Sequence, residues 1–350
     1  MRKLAYPFLR CLYSINLKME KMNKSILITG ANIGLGKESA RQLAMINETE
    51  KIYLACRNLT RAEEAKRSLE KSTGRSIFEI VIMDVSDPKS VRSAVAQLNE
   101  PIDALIMNAG GMGGKTPLNL TSNGVTSLFA TNVLGHVVLV DELLKAEKLK
   151  NVALYASSEG ARGVEEMEMK RPELSTSSVD EFASVIDGSY FSKEEDPMQV
   201  YGFVKYAATM WMSSEARKNP SIRFISVSPG FTSGTAVMND LSPRKRFMFK
   251  YIMIPIVAPL KGMVHKLEKG AKRFVDGINN ESFTSGVFYA SKENKLIGPV
   301  VDQSTIFPDL KNHSYQDNAN EAIHRFIHHD PNFQSQDNNE FSEAGLKEAS

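Results

Sequence analysis

Tyr201 and Lys205 stand four residues apart in Tyr201-Gly202-Phe203-Val204-Lys205, in a run that continues to Trp211 and predicts a helix. That spacing puts a phenol and an ammonium on one helical face. A cation beside a tyrosine favours the phenolate and draws its pKa down from about 10 toward working pH, as a general acid or base requires. In isolation, an amphipathic helix with a surface lysine explains the pair better. A second feature gives it company. Thr29-Gly30-Ala31-Asn32-Ile33-Gly34-Leu35-Gly36 follows an apolar run and opens a helical pattern. Glycine at 30 permits a tight turn, at 34 a close approach by pyrophosphate, and at 36 close helix packing, with the helix N-terminus facing the anion. A dinucleotide cofactor is expected. Arg57 stands at the end of the next apolar run, 27 residues past Gly30, where an acid would hold the ribose 2′-hydroxyl of NAD. A guanidinium there pairs with a 2′-phosphate instead, so NADP is expected ahead of NAD. Asp84-Val85 closes a third run, where the carboxylate could accept from an adenine amino group or cap the following helix.

The elements that must position these groups follow from apolar runs at Ser25–Thr29, Lys51–Cys56, Phe78–Val85, Ile102–Met107, Asn151–Ala156, Ile222–Val227 and Phe283–Ala290. Most are apolar at consecutive positions, as in strands buried on both faces of a parallel sheet. Segments of helical period lie between them at Gly36–Ile46, Thr60–Lys71, Lys89–Leu98 and Ser122–Lys148. Strand and helix in alternation predict a doubly wound, Rossmann-like α/β sheet whose ligands sit at the carboxyl ends of the strands. Length, at 350 residues, is a soft prior for two domains. The motifs instead point to one domain over 24–292, an extension over 293–329 packing on it, an N-terminal extension over 1–23 and a disordered tail over 330–350.

A net charge of +2, from 43 basic and 41 acidic residues, is too balanced for a nucleic-acid polycation, and no nucleic-acid partner is expected. Two cysteines, Cys11 and Cys56, exclude a disulfide scaffold and make a cytoplasmic setting the default. The leader mixes cations with apolar residues, Arg10 interrupting any span, so that either an untidy extension or a targeting segment fits it. The six histidines form no convincing metal constellation, and no metal is expected; His324, His328 and His329 read as a surface helix.

Thr29–Gly36, Asn108-Ala109-Gly110, Asn132, Ser157-Ser158, Tyr201 with Lys205, and Ser228-Pro229-Gly230 occur in one order after successive strands. This resembles the short-chain dehydrogenase/reductase family over about residues 24–292. The resemblance implies that Tyr201 exchanges a proton with a carbonyl or alcohol oxygen and that Ser158, with Ser157 its rival, hydrogen-bonds that oxygen. It further implies that Lys205 binds the nicotinamide ribose and depresses the Tyr201 pKa, while Asn132 holds a water in a proton relay. Asn108, Ala109 and Gly110 would pack beside the cofactor, and Pro229 and Gly230 would close over the nicotinamide. Thr232 or Thr235 would contact the cofactor. Tyr53-Leu54-Ala55-Cys56-Arg57 with Gly34-Leu35-Gly36-Lys37-Glu38 looks like the retinol dehydrogenase-like or protochlorophyllide reductase-like branch; the absence of a cysteine after Cys56 argues against the photochemistry of the latter.

Two stretches depart from a minimal family member. Glu159–Pro197 holds eleven acids against four bases, a net −7 beside the catalytic pair, read as a solvated loop or as a lid. Pro243–Arg273 surrounds an apolar run, Phe247 to Val257, with nine cations and one acid. It suits a lipophilic substrate mouth or a peripheral membrane contact; a core helix or an oligomer contact fits equally. The expected function is NADP-dependent hydride transfer to or from a lipophilic carbonyl or alcohol, in a cytoplasmic or membrane-associated protein that could form a homo-oligomer. A cofactor-binding redox sensor without turnover is the alternative.

Overall fold

A computed structural model of the chain describes residues 23–114, 116–165, 169–192, 195–233 and 264–328. The leader, Thr235, most of the basic apolar stretch from Pro243, and the tail lie outside the described residues. One sheet runs in the order β3-β2-β1-β4-β5-β6-β7-β8. Its strands are β1 (Ser25–Thr29), β2 (Lys51–Cys56), β3 (Phe78–Ile82), β4 (Ile102–Met107), β5 (Leu149–Ala156), β6 (Arg223–Val227), β7 (Phe288–Ser291) and β8 (Val300–Asp302). All adjacent pairs are parallel except β7 with β8. The expected doubly wound α/β fold is therefore present, and the order reverses between β1 and β4, where such sheets open a crevice.

Helices α1 (Gly34–Ala44), α2 (Leu59–Thr73), α3 (Pro88–Ala96), α4 (Ser127–Lys145), α5 (Val179–Asp187), α6 (Pro197–Lys218), α7 (Leu267–Asn279) and α8 (His313–His328) cover the two faces. Neighbouring side chains of a strand take opposite faces. Leu27 accordingly packs in one core with α3, α4, α6 and α8, while Ile26 and Ile28 pack in the other with α1, α2 and α7. On the second face α7 brings Phe274 and Ile278 into one cluster with Leu154 and Ile225. Helix α4 is long and apolar enough to cross a membrane, and 72% of its apolar window is buried within the protein.

The structure corrects several boundaries. β3 stops at Ile82, three residues short of Val85, because Asp84 turns the chain, its Oδ1 accepting from Ser86 N at 2.9 Å. Helix α4 starts at Ser127 and not Ser122, since Thr126 caps it and pairs with Leu120 in an isolated bridge. β7 begins at Phe288; Gly286, with φ of 81°, turns the preceding segment. β8, three residues long, carries no run that sequence periodicity could detect.

The acidic stretch is more than a solvated loop. Glu159–Arg162 forms a 3-10 turn whose residues are all buried, and α5 buries Phe182, Val185 and Ile186. Phe182 stacks on Tyr206 of α6 at 6.1 Å between ring centroids, and Phe307 stacks on Tyr206 at 5.4 Å. The insertion is thus packed against the helix that carries Tyr201. His324 lies half-buried on α8, its Nε2 3.2 Å from Asp141 Oδ2 on α4.

Candidate active site

The glycine-rich turn leaves β1 and enters α1. Gly34 has φ of 58°, a left-handed conformation that glycine adopts without strain. At Gly36 a Cβ would lie 2.5 Å from Gly30 O and 2.6 Å from Asn108 Nδ2, so only glycine lets the helix sit this close. Asn108 holds the turn from β4, donating through Nδ2 to Thr29 O at 3.0 Å. Thr29 Oγ1 reciprocates by accepting from the backbone N–H groups of Asn108 and Ala109, both at 2.9 Å. The N-terminus of α1 has neither a side-chain cap nor an acid in its first turn. Its backbone donors therefore suit an anion.

The remaining cofactor candidates surround this turn. Ile33 is 56% exposed, and Asn32, Leu35, Asn108, Ala109, Pro229 and Gly230 are partly buried. Gly110 and Arg57 are exposed, and Arg57 follows the strand that pairs with β1. Asp84 and Val85 lie beyond β3, where Asp84 Oδ1 also accepts from Ser86 Oγ at 2.6 Å. The cap of α3 is Asp87, which accepts from Lys89 N. Thr232 is buried, its hydroxyl 3.0 Å from Gly230 O and 2.9 Å from His265 Nε2.

The catalytic candidates converge at the carboxyl ends of β4, β5 and β6. Tyr201, near the start of α6, is partly buried, and the Ser158 side chain lies near enough to favour its phenolate. Ser158 Oγ also accepts from Gly160 N at 3.1 Å. Its neighbour Ser157 is 3% exposed and bonds Thr209 Oγ1 at 2.9 Å, so the structure separates the two serines. Lys205 is 4% exposed, its Nζ 5.5 Å from the centre of the Tyr201 ring. It donates to Ala156 O at 2.9 Å and to the Tyr155 hydroxyl at 3.0 Å. Burial pushes the Lys205 ammonium down to about 7.

Burial also raises the Tyr201 phenol well above its usual value; the nearby Ser158 hydroxyl opposes this and the Glu159 charge adds to it. The expectation that Lys205 brings Tyr201 down toward working pH is therefore not met by the protein alone. Both side chains sit deep enough for desolvation to outweigh their mutual influence.

Asn132 lies in a π-helical stretch, Ala130–Leu134, inside α4. Such stretches occur often at functional sites because they redirect a carbonyl. Its side-chain amide donates to Gly111 O and Leu128 O, both at 2.8 Å. Its main-chain carbonyl accepts from the Tyr155 hydroxyl at 3.2 Å and faces His136 Nδ1 at 3.0 Å. The Tyr155 phenol stands between Lys205 and that carbonyl.

The proton positions on His136 follow from its partners. Thr29 Oγ1 accepts two backbone N–H groups, so its own O–H donates to His136 Nε2 at 3.0 Å. The proton of the neutral ring is then on Nδ1, facing Asn132 O. Burial lowers the His136 pKa to about 4, which keeps the ring neutral. Sequence reading missed Tyr155, His136 and the buried Glu159. The available signals were one aromatic residue in an otherwise small or aliphatic strand end and a histidine four residues past Asn132.

Glu159 ties three segments behind the site. One carboxylate oxygen accepts from Ser228 Oγ, and the other from Ser291 Oγ at 3.0 Å and Arg273 NH1 at 3.4 Å. Arg273 in turn donates to Ser228 O at 3.0 Å and Gly298 O at 2.8 Å. The Pro229–Gly230 loop is thereby braced against β7 and α7.

A family model described as short chain dehydrogenase matches residues 24–167. The dehydrogenase/reductase SDR family member 12 of Bos taurus is 29% identical over 225 residues, 63% of this chain and 65% of that protein. Retinol dehydrogenase 11 of Mus musculus is 34% identical over 166 residues, 43% of this chain and 50% of that protein. Over residues 24–167 the chain is similar to the short-chain dehydrogenase/reductase family. Among short-chain dehydrogenases, its likeness to a retinol dehydrogenase agrees with the branch expected from Tyr53–Arg57. The matches cover less than two thirds of these two relatives' lengths. The NADPH-bound carbonyl reductase from chicken fatty liver superposes with a TM-score of 0.52 at 19% identity, covering 79% of this chain and 99% of that one. At that identity the likeness is one of fold.

Proposed function

We propose that the chain is an NADP-dependent oxidoreductase that transfers a hydride between nicotinamide and a lipophilic carbonyl or alcohol, with Tyr201 as general acid and base. The observation that carries this reading is the convergence of Tyr201, Ser158 and a buried Lys205, whose Nζ is 5.5 Å from the Tyr201 ring centre, at the strand ends that also present the glycine-rich turn.

The turn fits a dinucleotide. Its backbone closes so tightly that a Cβ at Gly36 would strike Gly30 O, and the uncapped N-terminus of α1 is free of acids. In this reading the first turn of α1 holds the pyrophosphate and Arg57 the 2′-phosphate. Two of the three Lys205 donors are taken by Ala156 and Tyr155, which leaves the third for the ribose. The bound cofactor supplies the hydride or accepts it. Ser158 orients the substrate oxygen, and Tyr201 gives that oxygen a proton in reduction or takes one in oxidation. The Lys205 charge favours the phenolate in the second direction.

A lipophilic substrate is supported by the apolar group of Met169, Met198, Phe231, Leu296 and Ile297, beside the Pro229–Gly230 loop and the start of α6. It is supported also by the retinol named in a relative's description. The cytoplasmic setting and a membrane-surface contact through residues 243–273 belong to the same reading and rest on cysteine count and charge pattern.

The test is a panel of carbonyls and alcohols followed by NADPH absorbance, with NADH as control. Turnover of long-chain or polycyclic substrates is expected, and Tyr201→Phe should lower it by at least about 10²-fold with NADPH binding retained. Activity on small polar carbonyls alone would remove the substrate class, and unchanged turnover in the variant would remove the mechanism.

A further inference from the structure

We propose that Tyr155 is a positioning residue for Lys205, its buried phenol joining the lysine to the main-chain carbonyl of Asn132 and holding the ammonium beside Tyr201. The importance of that placement rests on the function proposed above; the contact itself does not. Tyr155 is fully buried in β5, with its ring edge-on to His136 at 6.1 Å and to Trp211 at 6.5 Å. Those contacts leave the ring little freedom to turn. Its oxygen accepts from Lys205 Nζ at 3.0 Å and donates to Asn132 O at 3.2 Å. Both roles require a protonated phenol, and burial keeps Tyr155 protonated by raising its pKa well above the usual value.

The carbonyl end of the link is itself fixed. His136 Nδ1 lies 3.0 Å from Asn132 O, and His136 Nε2 is held by Thr29 in the glycine-rich turn. The position of the lysine is thus referred to the same turn that would hold the cofactor. A carbonyl cannot pass a proton onward, so the chain of bonds ends at Asn132 and serves to place a charge. Among the described residues, the titratable groups facing Lys205 are Tyr155 on β5, Tyr201 on its own helix and His136 on α4. Two phenols and a neutral imidazole provide no countercharge. The Tyr155 oxygen and Ala156 O are then the dipoles that stabilise the ammonium, and removing the former should lower the Lys205 pKa.

The experiment compares wild type with Tyr155→Phe, carrying lysine labelled with ¹³C at Cε, by NMR titration without cofactor. Lys205 is assigned by loss of its signal in Lys205→Arg. A midpoint lower by roughly one to two pH units in Tyr155→Phe is expected, the worth of one hydrogen bond to a charged group. An unchanged midpoint overturns the proposal. With NADPH and a substrate that turns over, the alkaline limb of the kcat/KM profile should move in the same direction. A uniform loss of turnover with an unmoved limb would mark a merely structural residue and overturn the proposal too. Absence of turnover in the wild type would count against the proposed function, while the NMR midpoint still decides the role of Tyr155. Asn132 O keeps His136 as its partner in Tyr155→Phe, so the variant should fold. If it does not, the ¹³Cζ signal of Tyr155 is compared between wild type and Lys205→Met; a changed signal supports the contact and an unchanged one overturns it.

Discussion

The hydroxyls of Ser157 and Thr209 meet 2.9 Å apart in the core, and this bond gives the two adjacent serines different tasks. Thr209 Oγ1 donates to Lys205 O at 2.8 Å, so Ser157 supplies the proton of the shared bond. Ser158→Ala should reduce kcat by roughly 10²-fold, the usual effect of losing one donor to a developing oxyanion. Ser157→Ala should cost about 1 kcal/mol of stability and leave kcat within a few-fold. Steady-state kinetics with urea denaturation checks both, and equal losses of turnover would refute the division.

Arg57 follows β2 as an exposed cation beside the strand that leads into the glycine-rich turn. Arg57→Asp should reverse the charge offered to a 2′-phosphate and lower the NADPH-to-NADH ratio of kcat/KM by roughly 10- to 100-fold, the worth of one charge-assisted contact. A ratio that does not move would show that the 2′ position is read elsewhere.

Glu159 and Arg273 are 5% and 7% exposed, and their charges are compensated within the core. Arg273→Met leaves the carboxylate without its cation and should destabilise the fold by about 3 kcal/mol. The change should show as a lower urea midpoint at unchanged m-value. A midpoint within experimental error of wild type would mean that Ser228 and Ser291 alone satisfy Glu159.

His324 on α8 has a raised pKa: burial alone would lower it, but the hydrogen bond and charge of Asp141 outweigh burial. A folded-state value above the unfolded one gives stabilisation that is complete below about pH 6.5. It is lost as pH rises through the higher folded-state pKa. Urea stability should therefore fall between pH 6 and pH 8 more steeply in wild type than in His324→Gln. Equal slopes would remove the histidine from the linkage.

Strands β1, β2 and β4 were legible to the residue, because burial on both faces demands unbroken apolar runs such as Ile26-Leu27-Ile28. The glycine-rich turn was legible for a related reason, since a close approach of backbones leaves one residue type at Gly36. The role of Tyr155 was not legible. Its partners lie 23 and 50 residues away, and their meeting depends on a π-helical turn in α4 that has no sequence signature. Glu159 was hidden in the same way. In the sequence it is one acid among eleven; in the fold it faces Arg273, 114 residues further on.

The covering of Leu154 and Ile225 by α7 also has a bearing on synthesis. Phe274 follows Leu154 by 120 residues, which a ribosome adding ~5–20 residues per second supplies in roughly 6 to 24 seconds. During that interval the nascent chain presents first Leu154 and then Ile225 without the covering Phe274 and Ile278. The growing polypeptide therefore passes through a stage in which its own apolar strands are the surface most open to chaperones and to other chains.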